Sequence, residues 1–340
     1  MYLNMKPNDS RMHSPLSSFR AASLSKRRAR LFLLGALLCL VAVPAKARIS
    51  LDPLRRDGYG VVELNRPEPN VLTVIATING RKARLIVDTG WSGEGITLNG
   101  DYGSVLRSPV QAVKWLGRSV SGHALSNFKK GVADTVSLGN VQMRQVPITF
   151  GTIGALQHSY DRRDIHADGF IGSGFLSTCS GIIDLHNLAL YLRPPGTGRR
   201  AVIGPAMKAQ GLAEVPFHVI QTNCLVAVQI NDAPGVMFVD TGATLAGVDE
   251  RFAPQMKSKL RSSNVTAIDA AGIETQTKLT NLRSFRIAGV NVRAPDMRMG
   301  RFAFYDSSRG KVIGLLGMDI LGRNGTIIDF GQKKLYFYPL

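Results

Sequence analysis

The stretch that decides the fold reads LIVDTG at residues 85–90, and a near copy, MFVDTG, stands at residues 237–242. In both copies three apolar residues lead into Asp-Thr-Gly, and an asparagine lies nine positions before the aspartate. Asp and Thr bond neighbouring backbone groups and Gly tolerates positive φ, so the triplet is typical of a tight turn. The pattern therefore predicts, twice in one chain, a strand that ends in a loop carrying an aspartate, Asp88 or Asp240.

Further landmarks follow each copy in the same order. The run FIG at residues 170–172 and the run LLG at residues 315–317 each stand twelve positions before another aspartate, counted from their glycine. Matched order and spacing indicate an internal repeat. We predict two similar lobes and their surroundings: an N-terminal segment at 48–60, a first lobe at 61–193, a Pro- and Gly-rich linker at 194–212, and a second lobe at 213–340.

The composition favours strands over helices. Apolar residues make up 44% and charged residues 19% of the chain, which is the balance of a folded protein rather than a disordered one. Segments such as 71–78 and 225–230 are short, rich in β-branched residues and bounded by turn formers. Residues 175–180 and 254–261 are candidate helices. We therefore expect a mostly β protein.

The first 47 residues have the pattern of a leader rather than of the fold. A basic cluster, KRRAR at residues 26–30, precedes thirteen residues that are all apolar or Gly, and AKA at 45–47 supplies the small residues of a cleavage site. We predict a signal peptide cleaved after Ala47 and an exported protein, periplasmic or secreted. Thirteen residues rise only about 20 Å as a helix, short of a hydrocarbon core of roughly 30 Å, so no permanent membrane anchor is expected.

The net charge of +18 does not indicate nucleic-acid binding. Eight basic residues and one acidic residue lie in the leader, so +7 leaves with it and +11 remains on the mature chain. That excess is dispersed in short basic pairs, which describes a cationic surface. Two cysteines remain after cleavage, Cys179 and Cys224, and the sequence leaves their pairing open.

Each Asp-Thr-Gly loop, with its preceding strand and its later apolar-apolar-Gly run, resembles the aspartic peptidases, the pepsin and retropepsin superfamily. The resemblance covers nearly the whole mature chain. It implies two similar β-barrel-like lobes of the pepsin or retropepsin type, an active-site cleft between them, and Asp88 and Asp240 as the catalytic pair. Because LGMDIL at 316–321 and DTGA at 240–243 look more like retropepsin than pepsin, we expect a bacterial-type tandem retropepsin-like enzyme.

The resemblance also assigns supporting roles within the site. The runs that end at Gly172 and Gly317 would lie beside the two aspartate loops and support them. Thr89 and Thr241 would exchange hydrogen bonds between the lobes. The loop glycines that follow them, Gly90 and Gly242, would let the two loops approach without a Cβ clash.

Two carboxyl groups held a few ångströms apart do not both ionise readily, so they share one proton. The ionised group is expected to take a proton from a water molecule while the protonated one stabilises the oxyanion of the scissile carbonyl. We therefore expect an aspartic endopeptidase acting on a peptide or protein. No cofactor or metal is expected, because the six histidines are scattered without ligand spacing. Both aspartates lie in one chain, so a monomer is expected to be active.

Three points stay open in the sequence. Trp91 follows Gly90 where the family has a small residue, and it either lines a substrate subsite or packs against its lobe. The hairpin at 117–124, flanked by Trp115, is either the flap that closes over substrate or a plain surface hairpin, and its equivalent at 267–274 fits the flap position as well. The chain is alternatively a catalytically weak or inactive peptidase-fold binding protein of the cell envelope.

Pepsin-like enzymes have a hydroxyl at the positions of Trp91 and Ala243, and here both lack it. We therefore expect the pKa of the aspartate pair to be higher than in those enzymes.

Overall fold

The computed structural model describes residues 51–67, 70–106, 110–113, 117–119, 121–153, 165–307 and 312–340. The predicted signal peptide, the start of the N-terminal segment and Trp115 lie outside these residues. Strands make up most of the regular structure, which confirms the prediction of a mostly β protein.

Among the described residues, twelve strands precede residues 194–212. They are β1 Gly60–Glu63, β2 Thr73–Ile78, β3 Arg81–Asp88, β4 Ile96–Asn99, β5 Gln111–Val113, β6 Gly117–Arg118, β7 Ala124–Leu125, β8 Phe128–Leu138, β9 Val141–Gly151, β10 Gly169–Gly172, β11 Ile182–Asp184 and β12 Ala189–Leu192.

Thirteen strands follow residues 194–212 in the part of the chain that the structure describes. They are β13 Ala213–Pro216, β14 His218–Ile220, β15 Asn223–Ile230, β16 Ala233–Val239, β17 Gly247–Asp249, β18 Leu260–Ile268, β19 Glu274–Thr280, β20 Phe285–Ile287, β21 Val290–Asn291, β22 Met297–Gly300, β23 Val312–Leu316, β24 Ile327–Asp329 and β25 Lys334–Phe337.

The two halves build their main sheets in the same order. The first sheet runs β2-β3-β10-β4-β9-β8-β5, and the second contains the matching series β15-β16-β23-β17-β22-β19-β18. In both, a hairpin of two antiparallel strands places its second strand parallel to a later strand, β3 beside β10 and β16 beside β23. We call the halves built around these sheets the first lobe and the second lobe.

A third sheet contains strands from both halves. Its order is β1-β12-β11-β24-β25-β13, with three strands from each half. The halves meet at its centre, where β11 and β24 pair antiparallel with Ile183 opposite Ile328. Backbone hydrogen bonds of this sheet therefore join the two lobes. The two strands at the junction, β11 and β24, each lie near the end of one repeat.

Helices are short. They span Leu51–Arg56, Ser173–Thr178, Gly204–Ala209, Ala303–Ser307 and Met318–Leu321. The candidate helix at 175–180 corresponds to Ser173–Thr178, whereas the one at 254–261 was wrong: this segment forms turns, and β18 begins at Leu260. Lys257 there has φ of 49°, a left-handed conformation that ends any α-helix. None of the helices in the described ranges is long and apolar enough to span a membrane.

Buried apolar side chains form a large cluster that continues through both lobes, from Val74 in β2 to Val226 in β15 and Leu335 in β25. Cys179 and Cys224 belong to it, and both are buried free thiols. Burial raises the pKa of each thiol to about 12, so both stay protonated at neutral pH. The cysteines therefore act as small apolar core residues.

Candidate active site

Both predicted aspartates lie where a strand runs into its loop beside a parallel neighbour. Asp88 is the last residue of β3, and Gly172 of β10 stands opposite it in the parallel pairing. In the second lobe Val239 stands opposite Leu316, and the Asp240 N–H donates to the Leu316 carbonyl at 3.0 Å. The apolar-apolar-Gly runs therefore lie beside the loops.

Only glycine fits at two positions of these supporting segments. A Cβ on Gly172 would lie 2.0 Å from the carbonyl oxygen of Trp91, and one on Gly317 would lie 2.3 Å from the carbonyl carbon of Leu245. Real Cβ atoms do not approach backbone so closely. Each glycine therefore lets the supporting segment press directly against the loop that follows its aspartate.

The threonines of the two loops bond across the lobe boundary in a reciprocal pattern. The Thr89 N–H donates to Thr241 Oγ1 at 3.0 Å, and the Thr241 N–H donates to Thr89 Oγ1 at 2.9 Å. Thr89 Oγ1 in turn donates to the Val239 carbonyl at 2.7 Å, and Thr241 Oγ1 to the Val87 carbonyl at 2.8 Å. All four bonds are buried, so they fix one loop relative to the other.

The loop glycines bring the two carboxyl groups together. A Cβ built on Gly90 would lie 2.6 Å from the carboxyl carbon of Asp240, and one on Gly242 would lie 2.3 Å from that of Asp88. Each glycine therefore faces the carboxyl group of the opposite lobe at contact distance. A side chain at either position would occupy the space that the paired carboxyls need.

Both carboxyl groups are buried and receive backbone donors. Asp88 Oδ1 accepts the Gly90 N–H at 2.8 Å, and Asp240 Oδ1 accepts the N–H groups of Gly242 and Ala243, each at 3.0 Å. Burial raises the pKa of Asp240, and the neighbouring Asp88 carboxyl raises it further. A pair that holds one proton near neutral pH is the arrangement that acid–base chemistry on a bound water requires.

Trp91 lies in the packing of the first lobe. Its side chain is 6% exposed, its ring stacks on Phe170 with centroids 4.9 Å apart, and its indole N–H donates to Thr97 Oγ1 at 2.8 Å. The surrounding cluster contains Phe128 and Ile153. This is the packing alternative left open in the sequence; the role of Trp91 in a substrate subsite stays a prediction.

Both candidate flaps are hairpins, and their tips meet. The first has β6 and β7 as its arms and the second has β18 and β19. At the tips, Asp269 Oδ2 accepts the N–H of Ser121 at 3.1 Å and also its hydroxyl. Gly122 packs so closely on the second lobe that a Cβ there would lie 2.9 Å from Cβ of Ala303.

Sequence reasoning missed two aspartates that shape this region. Asp269 closes its own turn by accepting the N–H groups of Ala271 and Ile273, in addition to its bonds with Ser121. Asp319 accepts the Ala246 N–H at 2.8 Å and so holds the second loop, and burial raises its pKa to about 6. The available signal was the repeat itself, because aligning the halves places Asp319 opposite Gly174, a difference in an otherwise matched segment.

Residues 226–323 match the family model of gag-polyprotein putative aspartyl proteases. Among solved structures, the chain is similar to the aspartic proteinase of Irpex lacteus at 14% identity and a TM-score of 0.43, over 83% of this chain and 97% of that one. A comparison with curated proteins finds no match. The residues matched by the family model lie in the second lobe and contain its Asp-Thr-Gly loop, so this part of the chain is similar to the aspartyl proteases.

Proposed function

We propose that the protein is an aspartic endopeptidase that hydrolyses peptide bonds with a water molecule held between Asp88 and Asp240. The observation that carries the proposal is the reciprocal contact of Gly90 and Gly242 with the opposite carboxyl groups, because it brings two buried carboxyls from different lobes together. Structural aspartates have no need of such a pairing, since burying two like charges is unfavourable.

The proposed reaction needs no covalent intermediate. The ionised carboxylate takes a proton from the water, whose oxygen attacks the scissile carbonyl carbon, while the protonated carboxyl gives its proton to the carbonyl oxygen. As the C–N bond breaks, the resulting gem-diol returns one hydroxyl proton to the carboxylate that had protonated the carbonyl oxygen, and the other carboxyl gives the leaving nitrogen the proton it took from water. The products are a free carboxyl group and a free amine.

The same proposal covers substrate and setting. We propose that the hairpin tips cover the site and that a substrate is an extended peptide, which lies under them and pairs with strand edges. The lobes at 61–193 and 213–340 each supply one aspartate, so one chain suffices. The leader pattern supports export to the periplasm or beyond, and the mature charge of +11 favours acidic over basic protein substrates.

The test is cleavage of a mixed peptide library by the exported, purified protein, with and without pepstatin. Asp88→Asn and Asp240→Asn are each expected to lower kcat about 10³-fold or more, because an amide cannot share the proton. Asp232→Asn is the matched control, since its carboxyl is 78% exposed. Peptide binding without cleavage by the wild-type protein would instead support the alternative, an inactive binding protein of the cell envelope.

A further inference from the structure

A second pair of contacts crosses between the lobes outside the threonine bonds. Asn70 Nδ2 of the first lobe donates to the Thr244 carbonyl of the second at 3.1 Å. Thr222 Oγ1 of the second lobe lies 2.8 Å from the Ser92 carbonyl of the first, and its one proton is shared between this carbonyl and that of Gln221. The Thr244 and Ser92 carbonyls each belong to the fourth residue after the aspartate of their loop.

The two contacts are copies of one another in position and backbone shape. Asn70 and Thr222 are separated by the same 152 positions as Thr89 and Thr241. Each has φ of 69°, a left-handed conformation that is uncommon for residues other than glycine and costly for a β-branched threonine. The same unusual conformation at both copies points both side chains at the opposite lobe.

The segments that carry the accepting carbonyls are also held from their own lobe. A Cβ on Gly174 would lie 2.4 Å from the Gly93 carbonyl oxygen, and one on Gly317 would lie 2.6 Å from the Ala246 nitrogen. Each segment after the aspartate is therefore confined between its own supporting strand and a side chain from the other lobe. A shift of this segment would carry the preceding aspartate with it.

We infer that Asn70 and Thr222 are positioning residues of the proposed reaction, each holding the aspartate loop of the opposite lobe at the separation that lets the two carboxyls share a proton. Their bonds to the opposite lobe go to backbone carbonyls, so the role that we assign to them is positioning. This inference rests on the proposed function for its kinetic consequences. Its structural content, the restraint of each loop by the other lobe, is measurable without activity.

The first test replaces each donor conservatively. Thr222→Val keeps the shape and removes the hydroxyl, Thr222→Ser restores a hydroxyl, and Asn70→Asp removes the amide donor at nearly constant shape. We expect Thr222→Val and Asn70→Asp to lower kcat roughly 5- to 20-fold with KM changed less than about twofold, and Thr222→Ser to recover most of the loss. The limbs of the bell-shaped pH profile should move closer together, because the carboxyls interact less when they separate.

Asn79→Asp is the matched control. Asn79 Nδ2 donates to the Val105 carbonyl at 3.0 Å, so the variant loses the same kind of bond within one lobe and away from the loops. We expect its kcat and pH profile to stay those of the wild-type protein. An equal loss in Asn79→Asp, or wild-type kcat and pH profile in both Asn70→Asp and Thr222→Val, would overturn the inference.

Amide hydrogen exchange separates this inference from the proposed function. Thr222→Val is expected to speed exchange in the first aspartate loop, residues 88–95, and Asn70→Asp in the second, residues 240–247, each about tenfold. A wild-type protein that cleaves no peptide would end the proposed function, and this crossed exchange pattern would still support the positioning role. Unchanged exchange in both loops would refute it.

Discussion

The two aspartate loops have the same backbone contacts and different side chains beneath them. In each loop a threonine bonds across to the other lobe, and a glycine touches the opposite carboxyl. Yet Trp91 of the first loop corresponds to Ala243 of the second, and Thr97, which pairs with Phe170, corresponds to Gly247, which pairs with Leu315. The comparison shows which contacts the two copies share and which differ with the local packing.

Each lobe fills the space under its loop in its own way. In the first lobe the Trp91 indole stacks on Phe170 and bonds Thr97. In the second lobe Ala243 packs in a small cluster with Ala267 and Leu315. A large aromatic side chain in one lobe and small or aliphatic residues in the other thus pack at equivalent loops.

The largest expected effect comes from removing the indole ring of Trp91. Trp91→Ala should lower the free energy of unfolding by about 3–5 kcal/mol, because it leaves a cavity beneath the loop. Trp91→Phe should cost less, about 1–2 kcal/mol, because it only leaves Thr97 without the indole donor. Urea unfolding measures both. Near-wild-type stability of Trp91→Ala together with altered cleavage preference would place Trp91 in a substrate subsite instead.

Asp184 at the end of β11 and Asp329 at the end of β24 differ in their hydrogen-bond partners. The free energy of unfolding should therefore depend on pH differently through each of them. Asp184 Oδ1 accepts the N–H groups of His186 and Asn187, and its Oδ2 accepts Asn187 Nδ2 at 2.7 Å. Asp329 Oδ1 accepts the Gln332 N–H, but its buried Oδ2 has no partner among the described residues. Burial raises the pKa of Asp329 to about 7.

Because the folded state binds this proton more tightly than the unfolded state, the stability that protonated Asp329 contributes is present below pH 4 and lost as the pH rises to about 7. Asp329→Asn should remove this loss, a difference of roughly 2–4 kcal/mol between pH 4.5 and 7.5 in the free energy of unfolding. Asp184→Asn should be destabilising at pH 7.5, by about 1–3 kcal/mol, because an amide cannot replace all its accepted bonds. Parallel pH dependences of wild type and Asp329→Asn would contradict the assignment.

The hydrogen bonds between the two hairpin tips give a test with a smaller expected effect. Burial opposes the charge of Asp269, yet the hydrogen bonds from Ser121 and Ser119 outweigh it and hold its pKa below the usual range. Asp269→Asn should therefore raise amide exchange at the tips, residues 121–123 and 269–273, about tenfold. Ser121→Ala should raise it less, since the backbone donor remains. Equal exchange in wild type and Asp269→Asn would mean that the tips are held by packing alone.

The smallest expected effect concerns the pH dependence of activity. Ala243→Ser adds a hydroxyl at the position where the loop lacks one, next to the Ala243 N–H that already donates to Asp240. A hydrogen bond to the charged form lowers a carboxyl pKa, so the acidic limb of the kcat/KM profile should move down by about 0.5–1 pH unit. If the acidic limb does not move, the missing hydroxyl does not determine the pKa of the aspartate pair.

The sequence predicted the aspartate loops because the same short pattern occurs twice with matched spacing. The geometry of Thr89, Gly90 and their copies follows from that repetition, and the structure places them in contact across the lobes. The catalytic roles remain predictions that the proposed experiments test. Repetition carries information only about what both halves share, so it said little about Trp91, whose copy is an alanine.

The sequence could not predict contacts between positions that are not equivalent in the two repeats. The meeting of Ser121 with Asp269 depends on the paths of two hairpins, which no local pattern fixes. The error at residues 254–261 has a local cause: the composition suits a helix, but the left-handed Lys257 interrupts it. The free state of Cys179 and Cys224 likewise depends on where the strands place them.

The sheet shared by the two halves has a consequence for the order of folding. Its central strand β11 comes from the first half, but its partner β24 lies near the end of the chain. During synthesis, β11 therefore has an unpaired edge until β24 has emerged, and such edges invite pairing with other chains. Pairing so distant in sequence is also slow to form. We expect refolding to pass through a species with formed lobe hairpins and an open central sheet, which is the state most prone to aggregate.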